Sequence, residues 1–161
     1  MDAVAEAKVK NTAGKLDAPD REFTKRMAAE VANLSRCYQC SMCSDGCPVA
    51  YAMDYHPNQV IHLVRMGQKD KVLGSNSMWV CASCETCATR CPNQIDIVHL
   101  MDELRAQAIR GGYKNPQSNV AAFHKSFVNQ IKSRGRVDEA LLLAEYELRS
   151  RGFLSFGKFL D

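Results

Sequence analysis

Apolar residues recur at three- and four-residue intervals along most of the chain. Phe23, Met27, Val31 and Leu34 are spaced four, four and three, which lays one apolar face on a helix beginning near Pro19. Val60, Ile61, Leu63 and Val64, with Val72, mark the buried side of a second helical stretch that Gly67 and Gly74 punctuate. Ile95, Val98, Met101, Leu104 and Ala108 predict a third helix, closed by Gly111-Gly112. Asn115-Pro116 opens a fourth through Val120, Phe123, Phe127 and Ile131, and after Gly135 a last one carries Val137, Leu141, Ala144 and Leu148. No stretch alternates with the period of two that a half-buried strand requires. The pattern predicts an all-α fold. Residues 1–18 are small, polar and aperiodic and read as a flexible N-terminal arm. Residues 19–113 form the main domain, and 114–161 a C-terminal helical extension with an apolar docking tail, Phe153-Leu154-Ser155-Phe156-Gly157-Lys158-Phe159-Leu160.

The eight cysteines interrupt this helical text in two copies of one pattern. Cys37, Cys40, Cys43 and Cys47 precede Pro48, and Cys81, Cys84, Cys87 and Cys91 precede Pro92. Both copies read C-x2-C-x2-C-x3-C-P, the run that holds cubane [4Fe–4S] clusters in bacterial-type ferredoxins. Three cysteines at i, i+3 and i+6 wrap a tight turn around one face of a cube. The fourth reaches elsewhere, and in two-cluster proteins it binds the other cluster. That logic assigns Cys37, Cys40, Cys43 and Cys91 to one cluster and Cys81, Cys84, Cys87 and Cys47 to the second. Such clusters carry one electron at a time, so the expected chemistry is electron transfer.

Structural zinc is the competing reading, since all-cysteine zinc sites also use C-x2-C pairs. Zinc gives no reason for a third cysteine at the same spacing, nor for the C-P ending, and both occur twice. Disulfides between cysteines this close would close strained short loops.

Composition narrows the setting. The N-terminus, with Asp2 and Glu6 and no apolar core, is not expected to be a signal peptide. No apolar run approaches the roughly 20 residues that cross a bilayer. A reducing, cytoplasmic compartment follows as the expectation. The formal charge of +3 falls to about −1 once two clusters of about −2 each are counted with their thiolates. The basic pI therefore does not predict nucleic-acid binding, and no basic stripe supports it.

With the long helical spacer and the segment M-W-V-C-A-S-C-E-T-C-A-T-R-C-P-N-Q-I-D-I, the repeated run resembles the C-type iron–sulfur subunit of heterodisulfide reductase over about Phe23 to Tyr113. The resemblance implies an α-helical ferredoxin fold and a subunit that relays electrons between two partners. One would be the flavin- and cluster-bearing A-type subunit. The other would be the cysteine-rich B-type subunit, with a non-cubane cluster and the disulfide-reducing site. By the same resemblance all eight cysteines are ligands and none is a catalytic thiol. No G-x-G-x-x-G loop is present, so the chain is expected to need its partners. A free ferredoxin-like shuttle and a zinc-stabilised helical interaction module are the alternatives.

Small residues in the loops, Ser41, Ser44, Asp45-Gly46, Ala82, Ser83 and Ala88, are expected to let backbone N–H groups approach cluster sulfurs. Arg36 and Arg90 flank ligands. Met42, Met78 and Trp79 read as apolar shielding, and His56, His62, His99 and His124 receive no role.

Overall fold

The computed structural model of the chain describes residues 18–150. Every regular element among them is helical, as the apolar spacing predicts, and no strand forms among them. No described helix is long and apolar enough to cross a membrane. The chain divides into two compact units at Pro116 and Gln117.

In the first unit, α1 (Arg21–Glu30) starts where the Asp20 side chain accepts the Phe23 N–H at 2.9 Å. That bond satisfies one of the amide donors a helix start leaves without a partner. Pro19 therefore lies just outside the helix rather than in its first turn. Phe23, Met27, Val31 and Leu34 are all buried. The helix itself is shorter than their spacing suggests. Asn33 turns left-handed at φ 61°, and Leu34–Arg36 form a separate 3-10 turn. That step redirects the chain into the first cysteine loop.

α2 (Met42–Asp45) closes that loop, and α3 (Pro57–Arg65) and α4 (Lys69–Leu73) follow. The stretch predicted as one helix is two because Gly67, at φ +68°, takes the left-handed turn between them. Its carbonyl accepts the Asp20 N–H at 3.0 Å, and Thr24 Oγ1 donates to the Val64 carbonyl at 3.0 Å. The start of α1 is thus tied to the corner between α3 and α4.

α5 (Ser77–Val80) and α6 (Thr86–Arg90) flank the second cysteine loop, and α7 (Ile97–Arg110) completes the unit. Asp96 caps α7 by accepting the His99 N–H at 2.9 Å. Because the first turn begins at Ile97, the buried face comprises Ile97, Leu100, Met101, Leu104, Gln107 and Ala108. Ile95 is buried ahead of the helix, and Val98 is only half-buried. Met78 and Trp79 join this core. The Tyr113 hydroxyl donates to Asp70 Oδ1. Burial, with the Asp70 bond, pushes this phenol up to about 12.

The second unit is an antiparallel pair, α8 (Ser118–Arg134) and α9 (Glu139–Ser150), turned at left-handed Gly135. Gln130 Oε1 accepts the Asp138 N–H at 3.0 Å, and the Phe123 and Tyr146 rings meet edge to face at 5.9 Å. Its buried residues are Ser126, Gln130 and Leu142. The apolar residues that mark these helices in the sequence are largely exposed: Phe123, Phe127, Ile131, Leu141 and Leu148 all face solvent. Two helices alone cannot cover both of their apolar faces. The apolar tail after Ser150 lies outside the described residues, as does the arm except Ala18.

Candidate iron–sulfur centre

The two cysteine loops share one backbone. The residues two and four positions after the first cysteine are left-handed in both: Gln39 (φ 62°) and Ser41 (φ 63°), Ser83 (φ 51°) and Glu85 (φ 60°). None is glycine, and each costs about 1–3 kcal/mol of backbone strain. Residues alternating between left- and right-handed backbone turn successive N–H groups into a common concavity, which suits an anion. Ser41 and Ser83, two of the small residues singled out in the sequence, hold half of these positions. Gln39 and Glu85 carry long side chains and gave no such signal.

Each loop is entered from a short helical turn and left through a short helix, α2 or α6, and these two helices pack on each other. Gly46 and Arg90 occupy equivalent positions in the two loops. A Cβ on Gly46 would overlap the Arg90 guanidinium, so a side chain there would have to displace it. The segment after each fourth cysteine is tied to the start of the other loop. Asn93 Nδ2 donates to the Arg36 carbonyl at 2.7 Å, bringing Cys91 to the first loop. In the other half, the Tyr55 N–H donates to Ser77 Oγ at 2.8 Å and the Asn76 N–H to Asp54 Oδ2 at 2.8 Å, bringing Cys47 to the second.

Two cavities result. One is lined by Cys37, Cys40, Cys43 and Cys91 with Ile61, Ile95 and Asn58. The other is lined by Cys47, Cys81, Cys84 and Cys87 with Met53, Val98 and Met101. Ile97 lines both. The middle cysteine of each loop, Cys40 and Cys84, is exposed, Cys43 is buried and the rest are half-buried. Met78 and Trp79 are buried in the core but line neither cavity, and Met42 is 43% exposed.

All eight thiols are free. Burial pushes the thiols of Cys43 and Cys47 up, and that of Cys87 to about 11. A bound cation must therefore draw the proton off these groups. At exposed Cys84 the Thr86 hydroxyl, 3.5 Å from Sγ, holds the thiol below its ordinary range. Gln39 Nε2 donates to Cys37 Sγ at 3.3 Å. In the first loop Asn58 binds Ser41 Oγ (3.2 Å) through Nδ2 and Ser44 Oγ (2.6 Å) through Oδ1, which fixes the turn.

The donor set fits a cubane better than a single ion. A zinc ion with bonds of about 2.3 Å draws its sulfurs to within about 4 Å of one another. Among the described residues no three His, Cys, Asp or Glu side chains converge that way. Four thiols around each cavity match the four corners at which a cubane cluster takes its ligands.

Residues 33–95 match the family model of the 4Fe-4S dicluster domain. That segment holds all eight cysteines, and its cofactors are two [4Fe–4S] clusters. The chain is similar to the C-type subunit of the H(2):CoB-CoM heterodisulfide,ferredoxin reductase of Methanothermobacter marburgensis, 32% identical over 98 residues, 60% of this chain and 53% of that protein. It is similar also to the C-type iron-sulfur subunit of the CoB--CoM heterodisulfide reductase of Methanopyrus kandleri, 33% identical over 84 residues, 52% and 44% of the two chains. With the C-type subunit of the ferredoxin:CoB-CoM heterodisulfide reductase of Methanosarcina mazei it shares 30% identity over 96 residues, 60% and 59% of the two chains. The chain spans about half the length of the curated relatives it matches.

Proposed function

We propose that the chain is the electron-transfer subunit of a heterodisulfide reductase-like complex, passing single electrons between a flavoprotein of the A type and a cysteine-rich partner of the B type. Each [4Fe–4S] cluster, when bound, accepts or releases one electron. Cys37, Cys40, Cys43 and Cys91 hold one cluster, and Cys81, Cys84, Cys87 and Cys47 hold the other. All eight thiols are then ligands, and the disulfide chemistry belongs to a partner. The observation that carries this reading is the pair of four-cysteine cavities with Ile97 as their common wall, each with one exposed cysteine. A relay needs two adjacent sites and two ends open to partners, and this arrangement supplies both. The names of the relatives support the type of complex, and eight free thiols suit a reducing cytoplasm.

The test is an anaerobic pull-down of the full chain from its host, with mass spectrometry of the proteins that co-purify. A flavoprotein together with a cysteine-rich subunit is the expected result. Recovery of the brown chain alone, under conditions that preserve other complexes, would replace the subunit reading with a mobile carrier.

A further inference from the structure

The first cysteine of each loop is held in the same way, and nothing in the cysteine run announces it. Arg65, near the end of α3, donates from Nη1 to the Cys37 carbonyl at 2.5 Å. Arg105, on α7, donates from Nη2 to the Cys81 carbonyl at 2.6 Å. In both halves the helix that follows the loop sends an arginine back to the carbonyl where the loop begins. A carbonyl at that point ends a helical turn and lacks an intrahelical partner, so a cation is well placed there.

The two arginines are not embedded alike. Arg65 is exposed and makes this one bond. The Arg105 side chain is only 16% exposed. It also donates from Nε to the Met78 carbonyl at 2.6 Å and from Nη1 to Asp102 Oδ1 at 2.5 Å. One guanidinium therefore bridges two carbonyls at the end of α5, a fork that lysine cannot reproduce. Asp102 is 56% exposed, so water screens it and the arginine's charge is only partly offset.

We propose that Arg65 and Arg105 are matched positioning residues for the two cysteine loops, and that Arg105 also raises the reduction potential of the cluster held on the Cys81–Cys87 loop. This rests on the two-cluster reading above. The reduced cluster carries one more negative charge than the oxidised one. A fixed, shielded cation bonded to the carbonyl of the ligand residue Cys81 stabilises that form. At the other loop the exposed Arg65 is screened by solvent and acts through position alone.

The experiment uses the full chain, loaded and handled anaerobically. Iron and sulfide content of the wild type is measured first, and Cys84→Ser identifies the spectrum of the second-loop cluster. Fewer than two clusters in the wild type would refute the underlying reading without touching the arginines. Potentials of both clusters are then titrated by EPR, and iron release to a chelator is followed. Arg105→Gln is expected to lower the potential of the second-loop cluster alone and to speed its iron release about 10-fold. Arg105→Lys is expected to keep the potential near the wild-type value yet release that iron faster. Arg65→Gln is expected to speed iron release from the first loop with its potential unchanged. The proposal is overturned if Arg105→Gln leaves the potential in place, or if it moves both clusters equally. Should Arg105→Gln fail to fold, wild-type release kinetics in Arg105→Lys overturn it.

Discussion

Replacing Ile97 with alanine asks whether one side chain serves both cavities. Ile97 is 1% exposed, and the substitution removes three carbons. At about 0.8 kcal/mol per buried methylene the transfer loss is about 2.5 kcal/mol. The void left behind adds to this, since its neighbours Ile95, Leu100 and Met101 are themselves held in the core. A total near 3 kcal/mol falls within the ~2–5 kcal/mol that such truncations cost. For a domain of this size each kcal/mol moves Tm by about 4–8 °C, so a fall of at least about 12 °C is expected. Loss of clusters makes unfolding irreversible, so wild type and variant must be compared anaerobically at one scan rate.

Iron release discriminates the shared wall from an ordinary core position. Ile95 lines only the first cavity and Val98 only the second. Ile95→Ala should free iron faster from the first-loop cluster, Val98→Ala from the second, and Ile97→Ala from both. EPR of the partly depleted, reduced protein separates the two. If Ile97→Ala loosens one cluster only, or melts at the wild-type temperature, the reasoning from the common wall is wrong.

The fourth cysteines offer a sharper test of the ligand sets: Cys47→Ser should abolish the cluster on the Cys81–Cys87 loop and Cys91→Ser the one on the Cys37–Cys43 loop, read from iron content and EPR. Loss of the cluster on its own loop in either variant would refute the crossed assignment. Gly67→Ala places a Cβ 2.8 Å from the Asp20 nitrogen at φ +68° and should cost more than the about 1 kcal/mol of left-handed strain alone. Gly112→Ala, at the same φ with nothing within 4 Å, should cost only that strain, and urea midpoints compare the two. Tyr113→Phe removes the bond to Asp70 and should cost about 1 kcal/mol at neutral pH. The folded phenol titrates near 12 rather than 10, so this contribution is complete below pH 10 and is lost as pH rises towards 12. Wild-type stability should therefore fall more steeply than the variant's over that window.

What the sequence makes legible is what is local in the chain. The cysteine run fixes the cluster type because a turn of seven residues is a local structure, and the three- and four-residue spacing finds α1, α3 and α7 because burial on one face is written into their side chains. The same spacing overran at Leu34 and Val72, where Asn33 and Gly67 turn left-handed and periodicity carries no sign of the break. It found α8 through Phe123, Phe127 and Ile131 but carried no sign that these residues stay exposed. Asn58, Ile97, Arg65 and Arg105 were invisible to it. Their roles come from residues 14 to 28 positions away in sequence or, for Ile97, from a face shared by two cavities, and no local pattern encodes such meetings.

The asymmetry between the halves bears on how a relay would distinguish its two ends. The loops match in backbone, cysteine spacing and carbonyl clamp, so the frame alone would offer two equivalent surfaces. The residues at equivalent positions differ. Around Cys40 the exposed rim presents Tyr38, 63% exposed, and Met42, 43% exposed. Around Cys84 the corresponding positions are Ala82, a small residue, and Thr86, with Glu85 exposed between the cysteines. An aromatic and a thioether in water favour a partner that buries apolar surface. A small, polar rim with a carboxylate favours one that supplies hydrogen-bond donors or positive charge. Exchanging the rims is therefore the decisive perturbation. With Tyr38→Ala and Met42→Thr in one variant, and Ala82→Tyr and Thr86→Met in another, each should lose a different partner in the anaerobic pull-down while keeping both clusters. Loss of the same partner from both variants would mean that the rims do not assign the ends.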